Sequence, residues 1–305
     1  MIETNCNLCG GDDYFVRFPA TLANPHNLDV AAFRCTSNTY GSHAQVVQCK
    51  QCGYVYANPR WSPDELLEAY TAVEDEVYEK EREGRELTFR KHLQALEKVI
   101  GPAQGRCLLD VGAYIGVFVE VAQVAGWQAM GVEPSTWAAA AARQRNLNII
   151  EGTLDAPELQ GQQFDLITMW DVIEHVADPA SEIAKSYQLL KPGGTLVLHT
   201  MDIDSLFARL MGSRWPWLMD MHIHFFSQKT MADMLCQKGF QVIWSGAQGR
   251  YLRLGYFATR IEALSRPLGR LARFLIATLR LQEVAIPLNF GDLFTVYAER
   301  PLDNE

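Results

Sequence analysis

Two matched pairs of cysteines, Cys6-x2-Cys9 and Cys49-x2-Cys52, are each followed by a glycine, Gly10 and Gly53. Two residues between cysteines let both sulfurs point at one ion, and the glycine permits the tight turn that brings backbone N–H groups to the thiolates. Four thiolates make a closed tetrahedral zinc site, structural because no coordination position is left for a substrate. The 39 residues between the pairs exceed the usual spacing and predict a strand-rich insertion. Cys35, Cys107 and Cys236 lack partner spacing and read as core residues. A second group of reactive types is Glu174-His175, and a third runs Trp215-Pro-Trp-Leu-Met-Asp-Met-His-Ile-His-Phe-Phe-Ser227. If that third stretch is extended, Asp220, His222 and His224 share one face. Such a set could bind a metal, or its aromatics could wall a pocket in which a histidine takes a proton.

These residues need elements to position them. The chain has 305 residues, 48% hydrophobic and 21% charged, the balance of a globular protein with a large core. The formal charge of −9 argues against a surface that coats nucleic acid. No apolar run reaches the ~18 residues of a membrane span, and no secretory leader is recognised at the start, so a cytoplasmic location is expected. From Cys107 a short apolar run ends in a glycine turn, Gly112-Ala-Tyr-Ile-Gly116, and a helical stretch from Val117 to Ala125. A second strand pattern, Trp127 to Val132, ends at Glu133, 23 residues after Asp110. This is a β-α-β unit with an acid at the tip of its second strand, where a carboxylate can accept both hydroxyls of a ribose. The helix N-terminus points free N–H groups at a carboxylate or phosphate. A dinucleotide turn would want a glycine where Tyr114 stands, so pyrophosphate is disfavoured.

Asp110-Val-Gly-Ala-Tyr-Ile-Gly116, Glu133, Phe164-Asp-Leu-Ile-Thr-Met-Trp-Asp-Val-Ile-Glu-His175 and Leu190-Lys-Pro-Gly-Gly194 follow one another in order. As a set they resemble the motifs of class I S-adenosylmethionine (SAM)-dependent methyltransferases, specifically bacterial small-molecule enzymes with an N-terminal four-cysteine zinc ribbon. The resemblance covers roughly residues 100–250. It implies an α/β Rossmann-like seven-stranded sheet with helices on both faces, plus the small ribbon. It also implies SAM held by Asp110, Gly112 and Gly116 around methionine and ribose, and by Glu133 on the ribose hydroxyls. Thr153, Leu154 and Asp155 would lie near adenine, with Trp170 and Asp171 closing the pocket. The family commonly has a third glycine at Tyr114. Methyl transfer is an in-line displacement, and an alcohol acceptor also needs a base within reach. Neutral imidazole suits that task near pH 7, which makes His224, His222 and His175 the candidates, in that order.

The expected organisation is a zinc ribbon over 1–61, a helical connector or lid over 62–100, and the methyltransferase domain over 101–305. A basic amphipathic insertion falls at about 250–288. Residues 250–280 carry seven arginines and one glutamate. Leu264, Leu268, Leu271, Leu275 and Leu279 follow helical spacing, with a helix expected from Pro267 to about Leu281. The stripe either packs on its own domain or docks on an anionic membrane face or substrate. The acceptor is expected to be a small molecule, a sugar or a glycan or lipid-linked precursor. Two alternatives stay open: an RNA methyltransferase that captures substrate with the ribbon, and a non-catalytic scaffold.

Overall fold

The structure, a computed structural model, describes residues 1–22 and 28–303. The N-terminal chain forms three antiparallel strands, β1 (Tyr14–Phe18), β2 (Val46–Cys49) and β3 (Val55–Ala57). Between the cysteine pairs, the described residues outside β2 hold β1 and a short 3-10 turn, Val30–Phe33, rather than the expected run of strands. The reason is packing. This stretch tucks Phe33 edge-on against Tyr70 (5.2 Å) and serves as a wall for the cavity described below.

Helices α1 (Pro63–Thr71), α2 (Glu76–Lys80) and α3 (Arg82–Ile100) follow. Ser62 and Glu65 form a reciprocal capping box at the start of α1, and Gly101 in the left-handed region (φ 82°) ends α3. The β-α-β pattern then folds as β4 (Cys107–Val111), α4 (Val117–Val124), β5 (Gln128–Glu133), α5 (Thr136–Gln144) and β6 (Ile149–Glu151). The chain returns to β7 (Phe164–Trp170), α6 (Pro179–Leu189) and β8 (Leu190–Met201). Leu166, Ile167 and Met169 are all fully buried, as a strand covered on both faces requires.

After α7 (Leu206–Met211) comes the aromatic loop. It is extended only at β9 (His224–Phe225), which pairs with β3 and so completes the N-terminal sheet. The ribbon is therefore a four-stranded sheet whose last strand comes from beyond the expected boundary at residue 61. Then follow α8 (Gln228–Gln237) and β10 (Gln241–Ala247). The insertion is β11 (Arg250–Arg253), α9 (Leu254–Leu264), α10 (Arg266–Thr278) and β12 (Ala285–Leu288), with β11 and β12 paired. Helix α10 stops at Thr278 rather than Leu281, because Arg280 takes a left-handed turn (φ 55°). Strand β13 (Leu293–Glu299) inserts antiparallel between β10 and β8. The main sheet has seven strands in the order β10-β13-β8-β7-β4-β5-β6, a Rossmann-like α/β arrangement. The order in which strands are added reverses between the parallel neighbours β4 and β7, and the crevice beyond their carboxyl ends is where such sheets bind ligands.

Candidate active site

A cavity of about 720 Å³ occupies that crevice, within the range of small-molecule sites. One end is formed by the turn after β4. Gly112 has φ 68°, and a side chain there would meet Val172 Cγ2 at 2.6 Å, so glycine is required both for the turn and for the close approach of the β7 tip. Tyr114 is also left-handed (φ 50°), and its N–H donates to Glu133 Oε2 at 2.7 Å. Its ring sits edge-on to Tyr78 at 4.4 Å and lines the cavity, so the residue replacing the usual third glycine supplies a wall. Glu133 Oε1 accepts from the Ser135 N–H at 2.8 Å. Each oxygen keeps a free lone pair for a hydroxyl donor. Burial pushes this carboxyl up to about 7.

The other end is built on the tip of β7. Glu174 is fully buried, and neither of its carboxylate oxygens meets the geometry of a hydrogen bond. Its backbone carbonyl accepts from Ile223 N (3.0 Å) and His224 N (3.1 Å), which fastens the aromatic loop to the strand tip. That brings His222 beside His175, with ring centres 4.8 Å apart. His175 Nδ1 lies 2.8 Å from the Met221 carbonyl and His222 Nδ1 lies 2.7 Å from the Trp217 carbonyl. A carbonyl only accepts, so both Nδ1 atoms carry the proton and both Nε2 atoms present lone pairs. One ligand atom from each of Glu174, His175 and His222 lies within 4.8 Å of the others, and His175 Nε2 is 3.8 Å from Glu174 Oε1. Two imidazoles anchored through Nδ1 and one carboxylate form a donor set suited to a divalent cation. Burial and the charge of Asp171 raise Glu174 to about 8, while burial lowers His175 to about 4. Asp171, in the left-handed region (φ 57°), accepts from Arg250 at 2.6 Å and lies 3.6 Å from His199 Nε2.

A roof closes the crevice. His92 on α3 bonds the Gly249 carbonyl (2.8 Å), the Tyr251 N–H donates to Thr88 Oγ1 (2.8 Å), and Arg253 pairs with Glu81 at 2.9 Å. These bonds tie the 62–100 helices to the insertion. Tyr78, Arg85, Phe89, Tyr256 and Arg260 from the two segments line the space beneath.

The methyltransferase-domain sequence profile matches residues 78–244, more than half of the chain. The chain belongs to this methyltransferase family. It is a class I SAM-dependent methyltransferase. Among curated relatives it is 34% identical over 105 residues to a ubiquinone biosynthesis O-methyltransferase of Methylococcus capsulatus, covering 32% of this chain and 44% of that one. The namesake enzyme of Bordetella avium is 27% identical over 171 residues, 52% of this chain and 70% of that one. The chain spans about half the length of the first such relatives. Two solved structures share the fold. A SAM-dependent methyltransferase from Archaeoglobus fulgidus has TM-score 0.50 and 15% identity, covering 74% of this chain and 100% of that one. The [4+2]-cyclase SpnF has TM-score 0.50 and 18% identity, covering 70% and 82%.

Of the cofactor residues expected for the methyltransferase, Gly112, Glu133, Thr153, Leu154, Asp155, Trp170 and Asp171 line the cavity. Asp110 and Gly116 do not. Asp110 is buried behind the wall, accepting from Thr168 on the neighbouring strand at 2.7 Å. Gly116 is the left-handed start of α4, where a Cβ would meet Leu147 Cδ1 at 2.4 Å, so it serves helix packing. Asp155 sits at the rim, paired with Lys185 at 2.6 Å. Among the candidate bases, His175 and His222 reach the cavity and His224, the first choice, does not. Strand pairing of His224 with Tyr56 turns its ring into the ribbon, 5.8 Å from Tyr54 in a stacked arrangement. Asp220 instead accepts from Trp61 Nε1 at 3.1 Å, so the expected shared face of Asp220, His222 and His224 does not form. Tyr70, Arg85 and Arg250 carried no motif that would have singled them out.

The four cysteine sulfurs lie within 4.8 Å of one another, with 3.5 Å between Cys6 and Cys52 and between Cys9 and Cys49. Zinc–sulfur bonds of about 2.3 Å place tetrahedral sulfurs about 3.8 Å apart, so the cluster has the shape to hold a zinc ion.

Proposed function

We propose that this methyltransferase carries out O-methylation of a small hydroxylated acceptor with an apolar body. The observation that carries the reading is Glu174, a buried carboxyl neither of whose oxygens meets the geometry of a hydrogen bond, grouped with the imidazoles of His175 and His222 in the cavity wall. A buried carboxyl in that state is satisfied by a cation, which would favour its ionised form, or by a polar ligand. The relatives' name, O-methyltransferase, agrees with a hydroxyl nucleophile.

In this reading Gly112, Glu133, Thr153, Leu154 and Asp155 hold SAM, with Trp170 and Asp171 at the junction between its methyl group and the acceptor. The acceptor hydroxyl lies against Glu174, His175 and His222, and Tyr70 holds His175 in place through a 2.9 Å contact to Nδ1. A divalent cation held by Glu174 and His175 would acidify the hydroxyl. The acceptor hydroxyl gives its proton to the free Nε2 of His222, and its oxygen forms the new bond to the methyl carbon as the sulfonium–carbon bond breaks and S-adenosylhomocysteine leaves. The aromatic roof excludes water and aligns the two groups. The lining from Phe33, Tyr40, Tyr256 and Phe257 favours a lipid-linked or aromatic acceptor over a free sugar or an RNA strand. The ribbon over 1–61 and its zinc act as structural support for the aromatic loop.

The test is transfer from labelled SAM to a panel of phenols, lipid-linked sugars and RNA, before and after chelation. Activity restored by a divalent cation and lost in Glu174→Gln supports the reading. Transfer to RNA alone, or full activity in Glu174→Gln, overturns it.

A further inference from the structure

Helix α10 leaves its leucines in solvent. Leu268, Leu271, Leu275 and Leu279 form one stripe and are 61%, 55%, 48% and 63% exposed. Arg266, Arg270 and Arg273 fall on the opposite half of the same helical repeat, and Arg280 follows just past its end. The side of α10 that meets α9 is marked by Gly269, where a Cβ would lie 2.2 Å from Glu262 Cα. The hairpin is thus closed through the backbone approach at Gly269, and about half of each stripe leucine stays in solvent. So long an exposed apolar stripe calls for a partner surface.

Two features indicate which surface. The first is charge. Arg250 and Arg253 are taken up by Asp171 and Glu81 in the crevice, but the hairpin over residues 254–280 still carries five arginines against one glutamate, in a chain of −9, and so attracts an anionic surface to this segment. A second copy of the chain seated leucine to leucine would cover the stripe but turn both sets of arginines outward without an anionic partner. The second feature is continuity with the site. Leu264 lines the cavity, is 58% exposed and extends the leucine stripe. Phe290 also lines the cavity, is 52% exposed and stacks on Phe207 at 4.8 Å. Beside them Leu206 and Leu210 of α7 are 74% and 77% exposed. The lining of the cavity thus reaches the hairpin at Leu264, the last residue of α9.

We propose that the α9–α10 hairpin lies on an anionic lipid bilayer, with its leucines at the acyl boundary and its arginines at the headgroups. The contact sets the cavity mouth against the membrane, so the acceptor enters from the bilayer; this last point rests on the small-acceptor reading above, whereas the contact itself does not. Among the described residues no helix is long and apolar enough to cross a membrane, and the contact is peripheral.

The test is flotation of the full chain with phosphatidylcholine vesicles, with and without phosphatidylglycerol. The wild type should float with the anionic vesicles and be released by salt. Leu271→Glu/Leu275→Glu and Arg266→Glu/Arg270→Glu should each weaken flotation about tenfold or more. Both pairs are exposed, so SAM affinity by calorimetry should stay unchanged and show that the fold is intact. Flotation that is absent in the wild type, or undiminished in either variant, overturns the proposal. So does a vesicle-free dimer that the leucine pair converts to monomer, which would show a second copy on the stripe. Vesicle binding that fails while transfer to hydroxyl acceptors persists refutes only the membrane contact. Binding that persists without such transfer refutes only the acceptor reading.

Discussion

The two ends of the cavity are held by different means. At the cofactor end, Gly112, Tyr114 and Glu133 lie within one β-α-β unit and are joined by bonds such as Tyr114 N–H to Glu133, 19 residues apart. Backbone conformation shapes that end. At the acceptor end, Tyr70 meets His175 across 105 residues and Arg250 meets Asp171 across 79. Side chains from the ribbon insertion, the α1–α3 helices, the aromatic loop and the α9 hairpin shape it. A ligand that never changes suits a rigid local turn. Walls contributed by separate segments can each be replaced without disturbing the turn, which suits the side of a site that sets specificity.

That contrast can be broken. The largest effect is expected from Cys49→Ser. Metal binding in four-thiolate sites supplies about 10–16 kcal/mol of apparent folding free energy, and the ribbon shares β9 with the loop that carries His222. Turnover should collapse while SAM affinity, measured by calorimetry, changes little. Equal loss of both would show that the two ends fold as one unit. Metal analysis should find zinc in the wild type and none in the variant.

Next in size is a pair of histidines two residues apart. His222→Ala should lower kcat by about 10²–10⁴ with SAM binding retained. His224→Phe keeps the stacking on Tyr54 and should leave kcat within about twofold. If the two effects were reversed, the assignment of the acceptor end would be wrong.

At the cofactor end, Glu133→Ala should weaken SAM binding by about one to three orders of magnitude, through loss of charged hydrogen bonds of about 1.5–3 kcal/mol each. The same residue sets a pH dependence. Burial raises its carboxyl from 4.5 to about 7. The contribution of Glu133 to apo-protein stability is therefore present below pH 4.5 and is lost as pH rises through 7. Cofactor binding runs the other way, because only the ionised carboxylate accepts two backbone N–H groups and two hydroxyls. Affinity should rise from pH 6 to 8, by up to about tenfold per unit below the midpoint, and Glu133→Gln should flatten the curve. A flat wild-type profile would remove Glu133 from the cofactor site.

The smallest effect is expected from Arg250→Ala, which leaves Asp171 facing His199 alone. The acceptor KM should rise about three- to tenfold with SAM affinity unchanged. A larger change in SAM affinity than in KM would place Asp171 with the cofactor after all.

Much of the fold was legible in the residues. The β4 turn, the acid at the end of β5, the helix that stops at Gly101 and the last antiparallel strand all follow from local patterns. The boundary of the ribbon was not legible, because β9 is two residues long and pairs with a strand 168 residues earlier, Tyr56 to His224. The choice among the histidines failed for the same reason. Period-two spacing puts His222 and His224 on one face only if the stretch is extended, and the turn at 219–223 points one ring to the cavity and the other to the ribbon.

The sequence alone thus determined everything that a short run of backbone can impose. It set the left-handed turns at Gly112 and at the cysteine knuckles, and the spacing that brings two sulfurs to one ion. It also set the carboxylate one strand away from the glycine turn. These are fixed by φ, ψ and periodicities within a few residues. Only the tertiary structure decided that Glu174 would be buried with neither oxygen in hydrogen-bond geometry, that His222 rather than His224 would join it, and that Arg250 would reach Asp171. Those outcomes depend on which distant surfaces the core brings together, and burial, not residue type, sets the charge state and reach of each group.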